Sequence, residues 1–512
     1  MSRLSLLSAL LVAASAGCAP SCSCGDVPPP PDRPPVVGDV PLLSEAFQFT
    51  CSPDRTVGCD GVFPIRHPVG DLPSRVGVLG NGEDSLRVRV GLLERATRSI
   101  RIQALIFRGD DTGLHIAEVL KRKRKEGVDV RIIVDALSNL DVATQWMYFD
   151  LKQHGIEVEG YETLYLNWLT ADLTLKDVGR PNKRFHDKMW IVDAEDLQTA
   201  GAVVGGMNIA NEYFRVDTDP IMRWRDQDVL LEGAAIKDVT RAFDRNYDYF
   251  KALKERLPKL FNPDNSWKLT RTVLDKVSKV RTPKWKRSTI GAAINAVLDT
   301  EAEVRLRPAT VRFLQSRPRF QETYIYQAYL QLMKQARGRI DIANAYFVPD
   351  RAMIEALKDA ARRGVRVRII TNSPATNDIA PIAVISRHLH SELLSVNQEL
   401  SLPDDQPRLT IREWIGPEIG EGTLHAKYAL FDDEVALVGS YNLDPRSARL
   451  NSETALAIKD AAVTADLRAL FEQTDLVQSR AISIDQARTW RSPKELGEQF
   501  ELLFALPLKD WM

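Results

Sequence analysis

No cysteine follows Cys59 in this chain of 512 residues: all five, Cys18, Cys22, Cys24, Cys51 and Cys59, fall near the start. The body therefore has neither disulfide staples nor thiolate metal sites, and apolar burial must hold it, for which the length is ample. Net charge is nearly absent as well, at −1. That excludes the broad positive field of a nucleic-acid binder, and no nucleic-acid partner is expected. No run reaches the roughly 18 uninterrupted apolar residues that a membrane span needs. The apolar stretch at 4–16, behind Arg3, is shorter than a span and has the proportions of a secretion signal over residues 1–17.

What is present is a repeat. His186-Asp187-Lys188 is followed by Asp193, and His425-Ala426-Lys427 by Asp432, so each copy reads H-x-K-x-x-x-x-D. Each is followed by a small residue and an asparagine: Gly205-Gly206-Met207-Asn208 and Gly439-Ser440-Tyr441-Asn442. One copy alone would be balanced by a core histidine beside a surface lysine; two copies with the same trailing element are not. In an extended strand, residues two apart share a face, so each histidine projects with its lysine. Met189-Trp190-Ile191-Val192 and Tyr428-Ala429-Leu430-Phe431 continue each copy as apolar strands. No second His or Cys stands at zinc-ligand spacing, and no metal is expected. Imidazole, ammonium and carboxamide together suit a phosphate anion. Two such half-sites supply one imidazole to attack phosphorus and one to protonate the leaving oxygen.

These residues, with the blocks Val204 to Phe214 and Gly439 to Glu453, resemble the phospholipase D superfamily, and within it the bacterial cardiolipin-synthase-like branch. The resemblance spans about 75–480. It implies an α/β fold: two phospholipase D-like α/β/α sandwich lobes, related by pseudo-twofold symmetry, with the active site in the cleft between them. It implies that Lys188, Lys427, Asn208 and Asn442 hold phosphate oxygens, with Gly206 and Ser440 allowing close approach of substrate. It implies His186 as nucleophile and His425 as general acid, and no cofactor. Glu453, 11 residues after Asn442, would orient an imidazole. Its first-lobe counterpart would be Asp226, 18 after Asn208, with Asp228 as the competing choice. Asp193 and Asp432 lie by position at strand ends and read as structural. Phe185, Trp190, Tyr213, Phe214 and Tyr441 are candidates for excluding water, Trp190 also fitting a plain core role.

Ser15-Ala16-Gly17-Cys18 resembles a bacterial lipoprotein processing site, departing from it at Ser15, with Cys18 as the lipidated residue. Ala19 then points to an outer-membrane lipoprotein facing the periplasm; without lipidation the reading is plain secretion. Residues 18–74 form a proline-rich tether, with Cys51 and Cys59 closing a small disulfide loop in an oxidising compartment. Lobe 1 is placed at 75–250, a basic connector at 251–320, lobe 2 at 321–480 and a helical tail at 481–512. Each lobe opens with strand, helix and strand, through Gly127 in the first and Gly364 in the second. The cluster Lys121-Arg122-Lys123-Arg124-Lys125 reads as a solvated helix face. In the connector, Trp267 and Trp285 bracket a basic run that fits either a solvated linker or contact with anionic headgroups. The expected function is cardiolipin-synthase-like phosphatidyl transfer on membrane phospholipids. The alternatives are a hydrolytic phospholipase D and a secreted phosphodiesterase or nuclease. Oligomeric state is not legible.

Overall fold

The computed structural model describes residues 74–135, 137–161, 184–255, 287–318, 322–403 and 405–491. The expected signal, Cys18, the Cys51–Cys59 loop, Trp267, Trp285 and the tail beyond 491 lie outside them. The first half runs β1 (Arg75–Leu79), α1 (Gly82–Arg95), β2 (Ser99–Ala104), α2 (Asp111–Lys125), β3 (Asp129–Asp135), α3 (Val142–Gln153), β4 (Glu157–Tyr161), β5 (Met189–Val192), β6 (Gly201–Gly205), α4 (Asn211–Phe214) and β7 (Asp228–Glu232). Then come α5 (Ile236–Glu255), α6 (Arg287–Leu298) and β8 (Arg307–Pro308). The second half runs β9 (Thr310–Ser316), α7 (Tyr324–Gln335), β10 (Arg339–Asn344), α8 (Arg351–Arg362), β11 (Arg366–Asn372), α9 (Ala380–Glu399), β12 (Leu409–Trp414), β13 (Lys427–Phe431), β14 (Val435–Gly439), α10 (Pro445–Arg449) and β15 (Glu453–Lys459). It closes with α11 (Ala461–Leu470), β16 (Ser479–Ala481) and α12 (Ile484–Arg491).

Two eight-stranded sheets result, in the orders β4-β3-β2-β5-β6-β7-β1-β8 and β16-β12-β11-β10-β13-β14-β15-β9. Seven strands correspond one to one between them. In each, three parallel strands joined through helices are continued by antiparallel ones. Gly127 and Gly364, at φ +99° and +93°, end α2 and α8 in the left-handed conformation that side chains resist. Asp110 and Asp350 cap the N-termini of the same two helices, accepting from Gly113 N and Met353 N.

Period-two alternation sorts the strands. On β5, Trp190 and Val192 face the helices α1–α4, while Met189 and Ile191 enter a shared core. On β13, Ala429 and Phe431 face α7–α9, while Tyr428 and Leu430 enter the same shared core. The two sheets thus oppose each other through their central antiparallel strands, with α5 and α11 filling the flanks of that layer.

Three expected boundaries move. β9 belongs to the second sheet, pairing with β15 from Thr310 onward, so the second lobe starts before 321. β16 pairs with β12, and α12 lies against α9, so the second lobe runs past 480. α6 is no connector: Ile294 and Val297 are buried in the first lobe's core, and Arg87 Nε donates to Val297 O at 2.7 Å. Nor is the α2 cluster simply solvated. Lys123 is buried and donates to Ala96 O and Glu126, and Lys121 pairs with Glu118 and Asp150.

Candidate active site

His186 and His425 do not sit within strands; each lies just ahead of one, on a short backbone bridge to the opposite lobe. Phe185 bridges Ser452, and Leu424 bridges Arg225. His186 N donates to Ser452 O at 2.8 Å and His425 N to Arg225 O at 2.7 Å. Ser452 immediately precedes Glu453, and Arg225 immediately precedes Asp226. The backbone therefore delivers each acid to the other lobe's histidine. His186 Nδ1 lies 2.8 Å from Glu453 Oε2, and His425 Nδ1 lies 2.6 Å from Asp226 Oδ2. Glu453 and Asp226 thus each orient an imidazole, and the pairs are crossed between the lobes. An ionised carboxylate only accepts, so opposite Glu453 the His186 Nδ1 carries the proton and its Nε2 keeps the lone pair.

The choice between Asp226 and Asp228 is resolved by partners. Asp228 is taken by Arg89 at 2.8 Å, Ser85 Oγ at 2.6 Å and Met207 N at 3.2 Å, beneath the sheet. Gly206 and Ser440 both lie directly against the acids. A Cβ on Gly206 would stand 2.4 Å from Asp226 Oδ1, so only glycine leaves room for that carboxylate. Ser440 Oγ donates to Glu453 Oε2 at 2.5 Å, and Ser447 Oγ donates to Oε1 at 2.7 Å. Gly206→Ala should push Asp226 off His425 and cut turnover about 10- to 100-fold, with the melting temperature little changed. Full activity in the variant would show that the carboxylate can be reseated.

Lys188 Nζ donates to His186 O at 3.1 Å, and Lys427 Nζ donates to His425 O. Burial pushes these ammonium groups down, to about 7 for Lys188 and about 8 for Lys427. Burial likewise holds the His186 imidazole down at about 4, and His425 well below its ordinary value. The two acids differ. Burial pushes Asp226 up to about 7, against the pull of Lys427. Burial also acts to raise Glu453, but His186, Lys188 and Ser440 outweigh it and hold the carboxyl down. Burial thus favours a proton on the Asp226 side of the His425 couple and leaves Glu453 ionised beside His186.

Asn208 is buried, its Oδ1 accepting from Ile106 N at 3.2 Å and its Nδ2 donating to Tyr213 OH at 2.7 Å. Asn442 is buried with no partner on Oδ1. Asp193 and Asp432 adopt φ of +52° and +50°. Asp193 accepts from the backbone of Thr97, Arg98 and Ser99, and Asp432 from that of Arg337, Gly338 and Arg339. Each pins the turn that opens the neighbouring strand, away from the imidazoles. Among the described residues no group of three or more His, Cys, Asp or Glu is placed to hold a metal ion.

Of the aromatic candidates only Tyr213 reaches a histidine, with its ring 5.3 Å from His425. Phe185 belongs to the shared core, Trp190 and Phe214 lie by Arg89, and Tyr441 stacks on Tyr329. His425 is instead enclosed by residues outside the motif: Trp224 at 4.8 Å and Tyr346 at 6.3 Å, the latter donating to Asp378 at 2.6 Å. Their only sequence signal is position, since Tyr346 and Asp378 follow the C-terminal ends of β10 and β11.

Residues 90–247 and 329–474 match the family described as cardiolipin synthase, PLD-like domain, more than half of the chain. The protein belongs to this family. It is 26% identical over 463 residues to cardiolipin synthase C of Escherichia coli K12, covering 87% of this chain and 91% of that one. It is 25% identical over 429 residues to cardiolipin synthase 1 of Bacillus cereus, covering 84% and 71%. Among solved structures it is similar to the phosphatidylserine synthase of Haemophilus influenzae Rd KW20. The TM-score is 0.59 at 18% identity, covering 85% of this chain and 95% of that one, a likeness of fold.

In this cardiolipin synthase, PLD-like chain a buried ion pair carries one of the crossed acids. Arg225 donates to Asp475 at 2.7 and 3.0 Å, and Tyr428 OH adds a bond to the same carboxylate at 2.6 Å. Arg225 comes from the first lobe, Asp475 from the short π-helical turn after α11. Arg225→Met would leave Asp475 buried and unpaired, and should destabilise the fold by about 3–5 kcal/mol. Urea unfolding followed by tryptophan fluorescence reads this; a loss below about 1 kcal/mol would mean the pair does not hold the segment.

Proposed function

We propose that the protein is a phosphatidyltransferase acting on membrane glycerophospholipids, with cardiolipin-synthase-like transfer between two phosphatidylglycerol molecules as its reaction. The observation that carries this is the pair of crossed imidazole–carboxylate couples with two buried lysines between the lobes. Family membership and the names of the relatives support the choice of lipid over other phosphodiesters.

His186 Nε2 attacks phosphorus, the bond from phosphorus to the headgroup oxygen breaks, and His425 gives that oxygen a proton, releasing glycerol. A hydroxyl of the second phosphatidylglycerol then passes its proton back to His425 and attacks phosphorus. The P–N bond breaks and His186 is restored. Lys188, Lys427, Asn208 and Asn442 would stabilise the charge gathered on the equatorial oxygens. The better-supplied carboxylate at Glu453 suits the nucleophile, and the proton-holding pair at Asp226 suits the acid. Export as a Cys18-lipidated outer-membrane protein fits this role and rests on the sequence at 1–19.

Purified protein with phosphatidylglycerol vesicles should give cardiolipin and glycerol, with phosphatidic acid minor, as read by lipid mass spectrometry over time. Dominant phosphatidic acid would make the enzyme a hydrolase. Turnover of a nucleotide diester with no phospholipid turnover would leave only the superfamily chemistry.

A further inference from the structure

Large apolar side chains are rarely left in water without cause when they gather on one edge. Among the described residues the exposed ones are Leu140, Val142, Ile221, Met222, Ile379, Ile419 and Val477. Leu140, Ile221, Met222, Ile379 and Ile419 lie on segments leaving the strand ends that carry the site, and Val142 opens α3 behind one of them. Leu140 and Val142 follow β3, whose Asp135 grips Arg184 two residues before His186. Ile221 and Met222, exposed by 53% and 58%, sit in the longer first-lobe segment between Asn208 and Asp226. Ile379 follows β11, and Ile419 follows β12.

The last three loops touch one another. Gly422 N donates to Arg223 O at 3.0 Å, and a Cβ on Gly422 would lie 2.6 Å from Ile221 O. A Cβ on Gly416 would lie 2.7 Å from the Thr376 side chain, two residues before Asp378. The same loops supply the walls around His425: Trp224 stands two residues after Met222, and Asp378, bonded to Tyr346, directly precedes Ile379. Of the acids in this rim, Glu418 pairs with Arg480 and Glu421 with Arg215, while Asp219 is exposed and accepts from Ile221 N, and Asp217 is exposed as well. Ile221, Met222, Ile379 and Ile419 are the exposed large apolar side chains of the rim.

We propose that the loops bearing Ile221, Met222, Ile379 and Ile419 form a lip that inserts into a phospholipid bilayer beside the His425 half of the site. The proposal rests on the lipid reading above and adds where the enzyme meets the membrane. A diacyl lipid then reaches the cleft from the bilayer without its chains crossing water, which favours insertion of apolar loop tips at the interface.

The test uses the full chain and the double variant Ile221→Ser/Met222→Ser, with Ile379→Ser as a second variant. Substrates are phosphatidylglycerol vesicles and dihexanoyl-phosphatidylglycerol held below its micelle-forming concentration. Any N-terminal tether acts equally on wild type and variants. On vesicles, kcat/KM should fall about tenfold or more in the double variant, and in the same direction in Ile379→Ser. On the monomeric lipid it should stay within about twofold of wild type. Unchanged vesicle turnover overturns the proposal, as does an equal loss on both substrates. Vesicle activity retained while an oligomer dissociates would make the lip a contact between copies, again overturning it. A wild type inactive on both lipids but active on another diester fails the lipid reading itself, and is told apart by that result.

Discussion

Alanine at His186 should abolish the covalent phosphatidyl-enzyme and lower turnover by about four orders of magnitude or more. His425→Ala should remain able to form it when the leaving group needs no proton. The reasoning lies in the asymmetry of the two couples. His186 faces a carboxylate supplied by Ser440, Ser447 and Asn451 as well, so its imidazole stays neutral with Nε2 available. His425 faces Asp226, whose other donor within the site is Gln227 N at 2.8 Å, and that couple holds its proton. A glycerol oxygen leaves poorly without protonation, so His425→Ala should lose about 10²- to 10⁴-fold on phosphatidylglycerol. Most of that loss should return with a phosphatidyl p-nitrophenyl ester, whose leaving group is stable as an anion, whereas His186→Ala should stay inactive. Acid-labile phosphorus on the protein, followed in rapid-quench experiments, reads the intermediate directly. Rescue of His186→Ala in place of His425→Ala would reverse the roles. Substantial activity of both folded variants on the natural lipid would end the two-histidine mechanism.

Glu453→Gln should cost about 10³- to 10⁴-fold, nearly as much as losing the histidine it holds, although the two never share a lobe. A carboxamide can bond Nδ1 in either sense and no longer enforces the tautomer that leaves Nε2 unprotonated. The variant should slow intermediate formation, whereas Asp226→Asn should act mainly on the protonated step. The pH profile of kcat/KM carries the same logic. Activity should fall as pH rises through about 7 to 8, where Asp226, Lys188 and Lys427 lose the protons that the acid step and the phosphate require. On the acid side it should hold until His186 protonates near 4. An activity that climbs through neutrality would contradict this, because it would require His186 to titrate near its ordinary value in spite of burial. A Glu453→Gln enzyme with wild-type kinetics would remove the crossed couple from the mechanism.

The two-lobed α/β architecture was legible because its signals are local and repeated. Apolar runs followed each H-x-K, and Gly127 and Gly364 marked helix ends where a positive φ is needed. Asp193 and Asp432 could be set apart as structural from position alone, since a residue at a strand's far end cannot return to its start. Boundaries were less legible where pairing is long-range. β9 reads locally like any short strand, and only its partner β15 assigns it to the second lobe. α6 carries no mark of the core that its Ile294 and Val297 enter.

What the sequence by itself determined is the inventory: two histidines, two lysines, two asparagines and two acids, in repeated order and of a kind that suits phosphate. What only the tertiary structure decided is who partners whom. Glu453 lies 267 positions from His186, and Asp226 lies 199 from His425. No spacing rule reaches that far, because the pairing is made by backbone bridges at 185–452 and 225–424 that exist only once the sheets oppose each other. The same holds for Gly206, whose role is the space it leaves for a carboxylate 20 residues on, and for Tyr346 and Asp378, brought to His425 by strand ends meeting at one rim. Local chemistry is written in residue types; proximity across lobes comes from burial of the shared core, which no short stretch of chain encodes alone.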